Sequence, residues 1–229
     1  MSRDCATTVA AAVASRKSVR RFLGKPVDPV LIRRIVEAAA QAPSGGNIQP
    51  WHVHVLGGDA LRRFRALMRE RVLAQPEGEP GDFSPYPPGL VSPYRERRDQ
   101  VGEALYASLG IPRSDKPRRM RQFVQNFQFF DAPVGMLCSI DRNMGAPQWV
   151  DCGIFLQTLA LLLREAGLHG CMQTCWIRYP RTIEEFLALP AGRTVLAGMA
   201  IGYEDPSAPI NQWRTPRAPL EAFAAFVGI

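Results

Sequence analysis

Pro43-Ser44-Gly45-Gly46-Asn47-Ile48-Gln49-Pro50-Trp51 is the stretch on which the reading of this chain turns. Prolines at both ends and paired glycines exclude regular helix and strand, so it is a loop. It joins two elements of different kind. Upstream, Asp28 suits an N-cap and Pro29 the first helical position, and Leu31, Ile32, Ile35, Val36 and Ala39 follow with helical period. Downstream, Trp51 to Leu56 alternates like a strand and stops at Gly57-Gly58. The loop carries Ser44, Asn47 and Gln49, donors and acceptors suited to the polar edge of a heterocycle, and its glycines let a ligand approach the backbone closely. The same residues also suit a turn capped by its own side chains; spacing alone leaves both open.

Helices and strands mix on either side of this loop without strict βαβ alternation. Residues 6–16, 59–74, 95–109 and 116–130 read as helices, and Ala132 to Ile140 and Thr194 to Tyr203 as strands. Gln148 to Ala166 is the most apolar helix and is expected to be central and buried, with Gly167 ending it in the left-handed position. Thr182 to Leu189 is a short helix, and residues 219–227 form another within a C-terminal arm, 204–229. Residues 75–94 hold Pro76, Pro80, Pro85, Pro87, Pro88 and Pro93, which exclude regular structure and fit either a lid-like insertion or a surface excursion. The expectation is one α+β domain, 1–229.

Composition bounds the function. The 229 residues are 46% hydrophobic and 21% charged, ordinary globular values. A net charge of +7 admits nucleic acid, a membrane surface or anionic small molecules. No zinc-finger spacing or RNA-binding aromatic signature is present, so no nucleic-acid partner is expected, and no segment reaches 18 uninterrupted apolar residues, so no membrane partner is expected either. Five cysteines, an odd count without CxxC spacing, read as reduced thiols. His52, His54 and His169 do not join them at ligand spacing, so no metal is expected. Met1 to Ser15 carries Asp4 and lacks a leucine-rich stretch; it reads as a first helix rather than a signal peptide, implying the cytoplasm.

Two basic clusters carry binding chemistry. In Arg16-Lys17-Ser18-Val19-Arg20-Arg21-Phe22, an extended chain aims Arg16, Ser18 and Arg20 the same way. Two guanidinium forks and a hydroxyl make a phosphate cradle, although a solvated helix end favoured by the macrodipole reads similarly. Asn211-Gln212-Trp213-Arg214-Thr215-Pro216-Arg217 places two further arginines in a rigid tail, with Leu220, Phe223, Phe226 and Val227 suited to anchoring it, a partner subunit being one such anchor. GxGxxG, Walker and GxSxG motifs are absent.

Together these segments resemble the nitroreductase family of FMN oxidoreductases, in its nitrobenzoate-reductase-like branch. Arg16-Lys17-Ser18-Val19-Arg20 with Phe22 resembles an R-x-S-x-R-x-F motif, and Pro43 to Trp51 matches P-S-x-x-N-x-Q-P-W. Phe130-Asp131-Ala132-Pro133-Val134 resembles F-x-A-P-V, and Gly167 to Gln173 resembles G-L-G-x-C-P-Q. The resemblance implies an α+β fold with a central mixed or antiparallel sheet flanked by helices, and an intertwined homodimer with FMN at its interface. Arg16, Lys17, Ser18 and Arg20, with Arg214 or Arg217, would hold the flavin phosphate. Pro43, Ser44, Gly45 and Asn47 would reach the ring or ribityl chain, from the other subunit. Met172, Gln173 and Thr174 would face the reactive nitrogen, and Gln125 and Gln128 the pyrimidine edge. Gln128 is neutral where relatives often carry a cation, a role that would pass to Arg121 or another residue, and Met172 stands where proline is usual.

The implied activity is ping-pong reduction of a nitroaromatic by NADPH or NADH, with Phe83, Tyr86, Tyr94, Phe127 and Trp176 lining the substrate slot. Related flavoproteins reduce quinones or enones. A non-catalytic flavin-binding module would keep the same phosphate motif.

Overall fold

The computed structural model describes residues 5–229, so the first four residues of the Met1–Ser15 stretch lie outside it. Four strands form one sheet: β1 (His52–Leu56), β2 (Val134–Asp141), β3 (His169–Gln173) and β4 (Arg193–Gly202). Their order is β1-β2-β4-β3 and every neighbouring pair is antiparallel. The expectation of a mixed or antiparallel sheet thus resolves to antiparallel. The sequence reading passed over β3, which holds only five residues, includes Gly170 and directly follows the Gly167 helix stop.

Among the described residues there are seven helices: α1 (Val9–Ser15), α2 (Pro29–Ala39), α3 (Gly58–Ala74), α4 (Tyr94–Ser108), α5 (Lys116–Val124), α6 (Ala146–Glu165) and α7 (Pro180–Leu187). Asp28 caps α2 as expected, accepting from the Val30 N–H at 2.9 Å. On one face of the sheet, Ile32 and Ile35 of α2 and Phe155, Leu159 and Leu163 of α6 pack on Met136 and Met199. On the other, Phe64 and Met68 of α3 and Ile183 of α7 pack with Phe127, Phe129 and Trp176.

α6 is long and apolar enough to cross a membrane, but one of its faces lies in the first of these cores. It is not buried all round as expected: Trp149, Val150 and Ile154 are exposed. α1, α2 and β3 pack against α6 and leave these three residues uncovered among the described residues.

The expected helix over 116–130 stops at Val124, where a tighter turn, Gln125–Asp131, takes over. Phe129, Phe130 and Asp131 have φ of 51°, 52° and 62°, a strained region for bulky side chains. The reason is packing. A Cβ on Gly135 would lie 2.5 Å from the Phe129 ring, so the bare glycine on β2 lets that ring lie against the strand. Gly198 on β4 does the same for Trp176, whose Nε1 would stand 2.5 Å from a Cβ there. The expected helix over 219–227 is only the single turn Leu220–Ala222.

β1 is an edge strand and carries His54, whose partly buried Nδ1 has no hydrogen-bond partner among the described residues. Burial pushes its pKa below the ordinary 6.5, and Arg193 and His52 push it further in the same direction. The folded state therefore holds this imidazole neutral where the unfolded chain binds a proton. That costs no stability above the unfolded pKa and costs progressively more as pH falls below about 6.5. His54→Gln is expected to flatten the fall in urea midpoint on acidification, and an unchanged slope would assign the effect elsewhere.

Candidate functional site

α1 ends at Ser15, and Arg16 turns extended, with φ −62° and ψ 127°. The following segment lies along the free edge of β3. Ser18 bridges Gly170 in parallel, and the Val19 N–H donates to the Gly170 carbonyl at 3.2 Å. Val19 points into the core, which leaves Arg16, Ser18 and Arg20 on the outward side, as the alternation requires. The C-terminal arm closes over them, because the buried Asn211 ties arm to strand. Its Oδ1 accepts from the Arg20 N–H at 2.9 Å, and its Nδ2 donates to the carbonyls of Arg21 and Asp205 at 2.8 and 2.9 Å. A tether fixed by three backbone contacts leaves no local pattern in the sequence around Asn211.

The result is a cleft of about 480 Å³ lined by Arg16, Ser18, Arg20, Arg214 and Arg217, with Gln157 and Trp213. No carboxylate lines it. Arg214 donates to the carbonyls of Arg16, at 2.7 Å, and Ala14, so it is held at the end of α1. Burial lowers the pKa of Arg16, and Arg217 and Arg214 lower it further. Concentrated cations without a counterion, and an indole Nε1 of Trp213 that is buried without a partner, fit an oxyanion with several acceptor atoms. The phosphate end of FMN meets that description.

Lys17 also borders the cleft, but its Nζ binds the Glu204 carboxylate and the Asn211 carbonyl, both at 2.6 Å. Its charge is already matched, which makes it a fastening for the arm rather than a free phosphate ligand. Glu204 continues into the buried His169, with 3.2 Å to Nε2.

The Pro43–Asn47 loop is exposed and makes a tight turn in which Gly46, Asn47 and Gln49 have φ of 57°, 57° and 52°. Ser44 Oγ accepts from the Gln49 N–H at 3.0 Å, and Asn47 Oδ1 from Gln49 Nε2 at 3.1 Å. The Gly45 N–H donates to Asp151 Oδ1 at 3.2 Å, which anchors the loop to α6. None of these residues lines the arginine cleft of the same chain.

On β3, Met172 is exposed and Gln173 buried, with Thr174 exposed just beyond the strand. Gln173 Nε2 donates to the Asn126 carbonyl at 2.6 Å, while its Oε1 is buried without a partner among the described residues. Gln125 borders a second cleft that shares Arg20 with the first. Gln128 does not reach either. It is 2% exposed, accepts from Arg69 at 3.2 Å and donates to the Arg65 carbonyl at 3.1 Å, so its place at a flavin edge is corrected to a clamp on α3. The cations that line the second cleft with Gln125 are Arg20, Arg21, Arg118 and Arg121.

Phe127 and Trp176 are likewise corrected. Both are fully buried, with ring centroids 5.5 Å apart at 89°. They are core, not slot. Phe83 packs edge-on against Trp149 at 4.8 Å, and Tyr86 and Tyr94 are exposed. The first part of 75–94 is docked, not free. The Glu79 N–H donates to the Arg178 carbonyl at 2.7 Å, and its carboxylate accepts from the Thr182 N–H at 3.1 Å and from the Thr182 hydroxyl. Hydrogen bonds to a charged group are worth about 1.5–3 kcal/mol. Glu79→Ala is therefore expected to speed amide exchange at Gly78 to Asp82 while leaving the sheet protected; equal protection throughout would show the anchor to be idle.

The chain matches the family model described as "Nitroreductase family" over residues 13–203. It is 38% identical to a 4-nitrobenzoate reductase of Pseudomonas putida, over 95% of either chain. It is 37% identical to a nitrobenzene nitroreductase of Ectopseudomonas oleovorans, over 94% of this chain and 95% of that one. Among solved structures, the FMN and NADPH-dependent nitroreductase NfnB from Sphigopyxis sp. strain HMH superposes with a TM-score of 0.94 at 43% identity, over 97% of this chain and all of the other. The NfnB of Mycobacterium smegmatis in complex with NADPH gives 0.89 at 32% identity, over 96% and 100%.

Proposed function

Since the chain belongs to the nitroreductase family, we propose that it is an FMN-dependent enzyme that uses NADPH or NADH to reduce nitroaromatic compounds. The observation that carries this reading is the cleft in which Arg16, Arg214 and Arg217 crowd together with no carboxylate among the lining residues. When bound, FMN supplies the reversible two-electron chemistry. The protein's own residues supply the rest. Arg16, Ser18 and Arg217 hold the phosphate. Arg214, fixed on the α1 carbonyls, keeps the arm closed. Arg20, which lines both clefts, and Gln125 would face the pyrimidine edge and stabilise negative charge there. Met172 on β3 and Thr174, just beyond its end, are exposed and would face the ring. Donor and acceptor take turns at one slot, bordered by Phe83, Tyr86 and Tyr94.

The active form is a homodimer. α4 buries none of its residues, and Trp149, Val150, Phe223 and Phe226 are exposed apolar surface of the kind that marks an interface. A second copy brings its Pro43–Asn47 loop to a cleft that the chain's own loop does not line. All five cysteines are free, which suits the reducing cytoplasm.

Steady-state kinetics test the reading. NADPH oxidation is expected to require both FMN and a nitroaromatic, with parallel double-reciprocal lines. Flavin binding without NADPH oxidation would leave only a flavin-binding module.

A further inference from the structure

α6 holds the loop 43–51 at both ends. At the far end the Trp51 indole stacks on Phe155, with ring centroids 5.0 Å apart and 15° between the planes. One turn earlier on the same side of the helix, Asp151 holds the near end, its Oδ1 accepting from the Gly45 N–H at 3.2 Å. The two contacts differ in kind. Phe155 belongs to the core and is fixed whatever the loop does. Asp151 is 7% exposed, and its second oxygen, Oδ2, is buried without a hydrogen-bond partner among the described residues. Burying a carboxylate oxygen with no donor costs stability. Its one donor, Gly45, lies in an exposed turn where water would serve as well. A polar group kept at such a cost marks a position that serves something other than folding.

The turn needs an outside hold. Asn47 and Gln49 have φ of 57° and 52°, and left-handed residues other than glycine persist only where contacts around them dictate the conformation. The bonds from Gln49 to Ser44 and Asn47 run within the loop and move with it. We propose that Asp151 is a positioning residue of the reaction: through the Gly45 N–H it sets where Ser44 and Asn47 stand against the flavin. The proposal rests on the reading that this loop reaches the flavin. Asp151 does not line the arginine cleft, but the same helix brings Gln157 to it, so one rigid element sets both the loop and the border of the phosphate.

The test compares wild type, Asp151→Ala and Asp151→Asn. Amide exchange and urea unfolding are followed on the FMN-free chain, and anaerobic reduction by NADPH on the chain saturated with FMN. In the alanine variant residues 44–49 are expected to exchange faster while α6 and the sheet stay protected. Its urea midpoint is expected to hold or rise, because an oxygen without a donor has gone and alanine suits a helix interior better than aspartate. Reduction of the bound flavin is expected to slow about tenfold to a hundredfold, the scale of a misplacement of about 1 Å. Asparagine keeps an acceptor for Gly45 and is expected to restore part of the rate and of the protection. Variants reduced as fast as a wild type that itself takes up FMN and is reduced overturn the proposal alone. Slow reduction with unchanged exchange at 44–49 also overturns it. A midpoint that falls with protection lost across α6 and the sheet makes Asp151 structural and overturns it too. A wild type that takes up no FMN sinks the flavoenzyme reading, and the proposal with it.

Discussion

Arg16→Ala/Arg217→Ala is expected to lose FMN at concentrations that saturate the wild type. Hydrogen bonds from guanidinium to phosphate are worth about 1.5–3 kcal/mol each, so removing two such partners weakens binding by roughly two to four orders of magnitude. The argument also predicts the opposite sign for the fold. Burial and the neighbouring Arg217 and Arg214 already disfavour the charge on Arg16. Without flavin, deleting that charge removes repulsion and costs little packing. The double variant is therefore expected to unfold at the same or a higher urea midpoint than flavin-free wild type. Added FMN stabilises the wild type by linkage and leaves the variant unmoved. A variant that keeps its flavin, or that unfolds early without it, would make these arginines structural.

Trp176→Ala is expected to be the most damaging single substitution to the fold. The indole is fully buried between Phe64, Phe127 and Phe129, with centroids 5.5, 5.5 and 4.4 Å away. It also covers Gly198 on β4. Truncating a buried aromatic of this size costs about 3–5 kcal/mol, a large share of the stability of a domain. Chemical denaturation reads it directly. Because Trp176 is core rather than slot, the surviving folded fraction is expected to keep wild-type KM values for its aromatic substrate. A large KM change at near-normal stability would return the residue to the slot.

What was legible in the sequence follows from what is local. Asp28-Pro29 set the start of α2, and the alternation of Arg16, Ser18 and Arg20 set their common outward side; both depend only on neighbours along the chain. The arginines of the arm were found by residue type. The closure of that arm was not, because it depends on Asn211, whose partners Arg20 and Arg21 lie 190 or more positions away. Aromatic residues misled for a related reason. Phe127 and Trp176 look the same in sequence whether they line a slot or fill a core. Here Gly135 and Gly198 decide it, by leaving room on the strands for aromatic rings. Gln128 was placed by its position before the Phe130–Val134 stretch, but the left-handed turn at Phe129–Asp131 determines which way that segment faces.

The most direct test of the central claim is an absorbance titration of the purified protein with FMN, followed by NADPH without oxygen. The account predicts stoichiometric uptake, bleaching of the flavin band by NADPH and its return on addition of a nitroaromatic. A colourless protein that takes up no FMN would contradict it and leave the arginine cleft to another anion.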